Sequence, residues 1–304
     1  MNPIVGIGEV LWDVYPDGRK VAGGAPFNFA FHCHQLGHPA VIVSRVGDDD
    51  LGRELRERVR ELDLSDEYIQ TDHEHPTGTV QVKLDANAVP TYTITENVAW
   101  DYLERDRATE QLAKSARVFC HGTLAQRSAR GMATITALVE LASRAGAFLV
   151  FDVNLRPPHS GPLEFWEASR FANWIKLNRD EFGILTEEFS HQLVGRSIHE
   201  SLLASFFTEH NTLEKRVILT WGDRGVAVAS RNELIDEPGV PARVVDTVGA
   251  GDAFTAAMVC LHLEGRPLRE CARFANHYAA RVCEQPGGTP RIDRSEVERA
   301  SGVK

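Results

Sequence analysis

The sequence predicts an α/β protein: a three-layer arrangement around a central, mostly parallel sheet, with a small β lid attached. Three observations carry this. Short apolar runs recur, each followed by a polar or Gly-rich segment and then by a helix-like pattern, as in an open parallel sheet. One stretch, residues 77–95, breaks the rhythm with strict apolar/polar alternation. The chain has 304 residues, 43% hydrophobic and 25% charged, enough to bury a substantial core.

Taken in order, residues 4–8 form the first apolar run, and Glu9 and Asp13 lie where the chain leaves it. Residues 13–21 lack a helical pattern. Gly24 and Asn28 then open a helix whose Pro26 suits the first turn. The run 40–46 leads into the Gly-bounded stretch 47–52, and the mixed charges of 51–66 read as a solvated helix face. In 77–95, Val80, Val82 and Leu84 alternate with Thr79, Gln81 and Lys83 before a turn at 85–90, which predicts an antiparallel hairpin. Paired with the early segment, it makes a lid from about 13–22 and 77–97, and a candidate homodimer contact; the alternative is a surface hairpin without function.

The remaining strands are expected at 118–120, 148–151, 174–177 and 217–220. They are followed in turn by His121 with Gly122, by 152–156, by Asn178 with Glu181, and by the Gly222 to Gly225 stretch. Ligands of open α/β sheets bind at the carboxyl ends of strands, so these residues are expected to gather around one. No Pro/Ser-rich linker or charge block divides the chain, and residues 1–304 are read as a single domain.

Net charge is -10 and basic residues alternate with acidic ones, which gives no nucleic-acid footprint. Met1 runs straight into the first strand without a signal-peptide pattern, and no apolar run reaches membrane-spanning length. The protein is therefore expected in the cytoplasm, with no membrane partner. Cys33, Cys120, Cys260, Cys271 and Cys283 lack metal-type pair spacing and read as packed thiols. His32 and His34 are two apart on a helix, and His73 and His75 share a strand face without further ligands.

The strongest local signal is Asp246-Thr247-Val248-Gly249-Ala250-Gly251-Asp252-Ala253-Phe254, followed by an apolar helix-like run to Gly265. Small residues let the backbone approach a ligand closely. A helix beginning near Ala250 would offer free N–H groups and its positive dipole end to an anion, such as a phosphoryl group in transfer. An acid inside that turn repels phosphate unless it has another purpose, and accepting a proton from an attacking hydroxyl is one. The plainer alternative is a capping Asp246 with two glycines that allow a tight turn.

The block 246–254 resembles the C-terminal signature of the PfkB family of carbohydrate kinases, which have a ribokinase-like fold. Gly23-Gly24-Ala25-Pro26-Phe27-Asn28-Phe29-Ala30, then Leu36-Gly37, then Gly47-Asp48-Asp49-Asp50-Leu51-Gly52, is similar to the family's N-terminal signature. The resemblance implies an ATP- and magnesium-dependent kinase acting on a small sugar, with Asp252 as base and Gly249, Ala250 and Gly251 as the anion hole. It assigns the substrate to Asp13, Gly24 and Asn28. It assigns the nucleotide to Asn178, Thr220, Gly222, Gly225 and, for adenine, Asn276. Asn178 and Glu181 match the family's Asn-x-x-Glu element, with Glu181 acting on magnesium through water. On the residues alone, Glu181 reads as a helix-start acid.

Asp152-Val153-Asn154-Leu155-Arg156-Pro157-Pro158 resembles the corresponding stretch of fructokinase-like members, and its Arg156 can face sugar or phosphate. Some relatives bind potassium beside the anion site, which here implicates Asp246, Val248, Val282, Gln285 and Gly287, although 283–288 departs from the ribokinase pattern. Trp221 stands where an aliphatic residue is more usual. Fructose is the expected substrate; a ribose or nucleoside kinase is the runner-up, and a non-catalytic sugar sensor is the non-enzyme rival. A dinucleotide fold is disfavoured because Leu11 occupies the third glycine position after Gly6 and Gly8, and no Gly-Lys pair forms a P-loop.

Overall fold

A computed structural model describes residues 2–84, 90–159, 165, 168–187 and 215–303. Strand β1 (Ile4–Ile7) leads into β2 (Leu11–Val14), β3 (Lys20–Gly23) and helix α1 (Ala25–Gln35). Next come β4 (Ala40–Gly47), α2 (Asp50–Glu61), β5 (Ile69–Asp72) and the hairpin β6 (Thr79–Leu84) and β7 (Pro90–Ile94). The alternation continues through α3 (Arg107–Ser115), β8 (Val118–His121), α4 (Ala129–Arg144), β9 (Phe148–Asp152), β10 (Trp174–Asn178) and α5 (Arg179–Glu187). The last stretch holds β11 (Arg216–Thr220), β12 (Gly225–Ala229), β13 (Leu234–Pro238), α6 (Ala250–Leu263), α7 (Leu268–Cys283) and α8 (Arg294–Ser301).

The large sheet has nine strands in the order β13-β12-β11-β10-β9-β8-β1-β4-β5. All six apolar runs expected as strands are there and pair in parallel. Three further strands complete the sheet. β5 is short and polar (Ile-Gln-Thr-Asp), and β12 with β13 forms an antiparallel edge hairpin in which β13 alternates exposed and buried residues. An edge strand needs only one apolar face, so its sequence signal is weak.

Two apolar layers sandwich the sheet. On one side α1, α6 and α7 pack on Ile4, Ile42, Cys120, Val150 and Ile218. On the other, α3 and α4 cover Val5, Ile7, Val43, Phe119 and Leu149. α6 is buried on all sides from Asp252 to Leu261, enclosed by the sheet, α1 and α7. That is why its sequence is apolar throughout rather than striped. No helix among the described residues is long and apolar enough to cross a membrane.

The second sheet has four strands in the order β3-β2-β6-β7. The expected hairpin forms with Val80 opposite Ile94 and Val82 opposite Tyr92, although its turn at 85–89 lies outside the described residues. The early segment joins it through a parallel β2–β6 contact, with Trp12 opposite Thr79. Trp12 Nε1 donates to the Leu51 carbonyl at 3.0 Å, and Lys20 pairs with Glu54, so this small sheet rests on α2. His73 and His75 pair with Asp48 and Asp72.

Both ends of the hairpin meet one buried cluster. A Cβ at Gly78 would stand 2.2 Å from Trp100 Nε1, so only glycine lets the strand pass the indole. The Arg127 guanidinium lies 4.0 Å from the centre of that ring and donates to both Asp101 carboxylate oxygens, at 2.7 and 2.8 Å, and to the Thr95 carbonyl at 2.7 Å. Arg127→Met keeps the apolar stem but strands a buried carboxylate. It is expected to lower unfolding free energy by about 3–5 kcal/mol, as read by urea denaturation.

Candidate active site

The chain order reverses across β1, which has β4 on one side and β8 on the other; this is where an open α/β sheet leaves a crevice at its carboxyl edge. The N-terminus of α6 overhangs that edge. Gly249 is its N-cap with φ 75°, a conformation glycine adopts freely, and a Cβ there would lie 2.5 Å from Gly288 Cα. A Cβ at Gly288 would in turn stand 2.8 Å from Asn28 Nδ2. Three segments remote in sequence therefore meet with no room for side chains between them.

Asp252, in the first turn of α6, is 8% exposed, and its Oδ2 accepts a hydrogen bond from Asn28 Nδ2 at 2.8 Å. Burial, and then the neighbouring Asp152 carboxylate, push its pKa up to about 7, against the pull of Lys176, Asn28 and Arg156. Asn28 Oδ1 is a buried acceptor with no donor among the described residues. A hydroxyl presented between Asn28 and Asp252 would meet an open acceptor beside a group able to take a proton at neutral pH.

Asp13 and Gly24 flank this point. Burial, then the Asp246 carboxylate, raise the Asp13 pKa to about 6. Gly24 has φ 118°, and a Cβ would fall 2.4 Å from the Glu9 carbonyl, so the backbone itself lines the passage. Glu9 is buried and accepts from the Ala25 amide at 3.1 Å. Arg156 is exposed just after β9, close enough to Glu9, Glu181 and Asp252 to offset part of the rise that burial causes in the pKa of each.

Asp246 orders the turn before α6: its Oδ1 accepts from the Val248 amide at 3.0 Å and its Oδ2 from the Gly287 amide at 2.9 Å. Gln285 N donates to the Val282 carbonyl at 3.0 Å, so the five residues proposed for a monovalent cation fall on two adjoining turns. Asn178 and Glu181 make a reciprocal capping box at the start of α5. Asn178 Oδ1 accepts from the Glu181 amide at 2.9 Å, and Glu181 Oε2 accepts from the Asn178 amide at 2.7 Å. Glu181 Oε1 takes the Leu155 amide at 3.0 Å, so one carboxylate joins the ends of β9 and β10.

Thr220 pairs in register with Asn178 at the same sheet edge. Gly222 and Gly225 keep positive φ around a short turn, and Trp221 packs outward against the layer of Ile175 and Leu177 without closing it. Asn276 lies elsewhere, on α7, donating to the Pro238 carbonyl at 3.0 Å; Gly225 abuts the same end of β13. The predicted residues thus form two groups, one around Asp252 and one around the end of β13.

The sequence reading had Asp152 only as part of the strand-end stretch 152–156, and overlooked Lys176 and Thr255, which meet it beneath the α6 turn. Lys176 Nζ donates to Asp152 Oδ1 at 2.9 Å, and Thr255 Oγ1 donates to Asp152 Oδ2 at 2.7 Å. The one available signal was a lysine inside an otherwise apolar central strand, Trp-Ile-Lys-Leu-Asn.

A sequence model of the pfkB family carbohydrate kinases matches residues 14–294. The chain belongs to the PfkB family of carbohydrate kinases. Among its relatives, "Probable fructokinase-3" of Arabidopsis thaliana is 28% identical over 329 residues, spanning 99% of this chain and 91% of the relative. A fructokinase of Xylella fastidiosa with bound ATP superposes with a TM-score of 0.85 at 20% identity, covering 99% of both chains. A Vibrio cholerae fructokinase in its fructose, ADP and calcium form gives 0.81 at 22% identity over 98% of both. The two structures establish that this PfkB member shares their fold.

Because the folded pKa of Asp252 lies above its ordinary value of 3.8, ionising it opposes folding. Its contribution to stability is fully present below that ordinary value and is lost as pH rises through about 7. Asp252→Asn is therefore expected to melt above the wild type at about pH 8.5, with the gap closing as pH falls toward 4. Paired thermal melts across that range check this.

Proposed function

We propose that this PfkB-family chain transfers the γ-phosphoryl group of ATP to a hydroxyl of a small sugar, with fructose as its preferred acceptor. The observation that carries the reading is Asp252, a buried carboxyl with a pKa of about 7 in the first turn of α6, bonded to Asn28 and set beside Gly249 and Gly251. The close Gly249–Gly288 contact supports an anion site at the start of α6, since it fixes the turn and leaves no room for a Cβ at Gly249. The fructose preference rests on the fructokinase relatives and on the 152–158 stretch.

In this reading Asp13, the Gly24 backbone and Asn28 hold the sugar. Asp252 takes the proton as the hydroxyl oxygen bonds to the γ-phosphorus, and the bond to the ADP oxygen breaks. The amides of 249–251 and the Arg156 guanidinium face the equatorial oxygens. Thr220, Gly222, Gly225 and Asn276 hold the nucleotide, and Asn178 supports Glu181 through their capping box. Magnesium, when bound, neutralises phosphate charge. Glu181 suits contact through water, because its two oxygens already accept backbone amides. Potassium beside Asp246, Val248, Val282, Gln285 and Gly287 would offset the acidic residues there.

Coupled ADP release over a panel of sugars and nucleosides tests the reading. Fructose should give the highest kcat/KM, and higher efficiency on ribose or adenosine would overturn that choice. No turnover on any member would favour a sensor. Asp252→Asn should lower kcat by about 10² to 10⁴ while leaving both dissociation constants largely intact. The wild-type rate should fall as pH drops below about 7, because the base is then protonated.

A further inference from the structure

Beneath the α6 turn lies a buried ion pair. Lys176 on β10 is 3% exposed and Asp152 at the end of β9 is 5% exposed. We propose that Lys176 is a positioning residue for Asp252: its ammonium holds Asp152 where it bonds to α6, and balances the charge that Asp152 places beside the base. This rests on the reading of Asp252 as the base.

Two hydrogen bonds connect the three elements, and two more brace them from within. Lys176 Nζ donates to Asp152 Oδ1 at 2.9 Å. Asp152 Oδ2 accepts from Thr255 Oγ1 at 2.7 Å, and that hydroxyl lies 3.0 Å from the Gly251 carbonyl. A Cβ on Gly251 would stand 3.0 Å from Nζ, so the glycine of the turn is also what lets the lysine reach under it. Asn154 Nδ2 adds a bond to Asp152 Oδ1 at 3.1 Å.

Burying an ion pair contributes little net stability compared with well-packed apolar side chains, so packing alone gives no reason for one here. Electrostatics does. Asp252 is faced by Asp152 from β9, Lys176 from β10 and Arg156 from the segment after β9, while α1 contributes the neutral Asn28. Lys176 is faced by Asp152, by Glu181 of α5 and by Asp252. The Cys120 thiol of β8 adjoins the same group and is held protonated by burial and by both aspartates. Two neighbouring carboxylates in a dry site resist ionising together unless a cation lies between them.

The test follows the side-chain carboxyl ¹³C signal of Asp252, assigned by its loss in Asp252→Asn, against pH in the ligand-free full chain. Lys176→Met should move the titration midpoint up by about one to three pH units. Asp152→Asn keeps an acceptor for Thr255 but removes the anion, and should move it down. The double variant should return toward the wild-type midpoint. Opposite shifts are the expected result; unchanged midpoints, or shifts of the same sign, overturn the proposal. If Lys176→Met does not fold, Asp152→Asn decides alone, because an unmoved midpoint there refutes the charge balance. The measurement needs no turnover, so a wild type without kinase activity would refute the proposed function and leave this result readable. In an active enzyme, the acid limb of kcat/KM should move with the midpoint.

Discussion

The site depends on one close approach, the N-terminus of α6 laid against the 283–288 turn and the start of α1 with no side chain between them. Gly249 and Gly288 make that contact, and Asn28 fills what remains. Because the helix enters so near the sheet edge, its first-turn amides face the crevice while Asp252 is carried under cover. A larger residue at either glycine would lift the helix and expose the carboxyl. The same geometry therefore sets the helix start at the sheet edge and raises the pKa of the Asp252 carboxyl.

The charge arrangement follows from that burial. Asp13, Asp152, Asp246 and Asp252 converge on a region suited to a polyanion, and each solves the resulting conflict differently. Asp246 spends both oxygens on backbone amides, and Asp152 on Lys176 and Thr255. Asp13 and Asp252 are left with raised pKa values of about 6 and about 7. Burial, which Asp13 and Asp252 share, is what moves both toward neutrality, where a carboxyl can exchange a proton.

The small sheet is tied to the large one at defined points. β2 leaves the carboxyl end of β1 and β3 returns at Gly24, so both connections lie beside the catalytic crevice. The hairpin is held at its base by Trp100, Arg127 and Asp101, which grip Gly78 and Thr95. Four fastened strand ends thus tie the small sheet to the large one.

The sequence by itself determined which segments form the parallel strands, the hairpin and its pairing with the early segment, and the glycine-rich turn that opens α6. Those features rest on local patterns: apolar runs of strand length, strict alternation, and small residues before an apolar helix. The residues around Asp252 were legible for the same reason, since Gly249, Gly251 and Asp252 are neighbours in the chain. Only the tertiary structure decided the rest. The edge strands β5 and β13, and β12 beside the latter, take their identity from the neighbour they pair with. Glu181 proved to be a capping group joining two strand ends, which required knowing that Leu155 lies beside it. Lys176, Asp152 and Thr255 are remote from one another in the chain, and nothing local marks them as partners. Their chemistry exists only where β9, β10 and α6 pack together, because burial turns an ordinary lysine and aspartate into a charge pair that a nearby acid must feel.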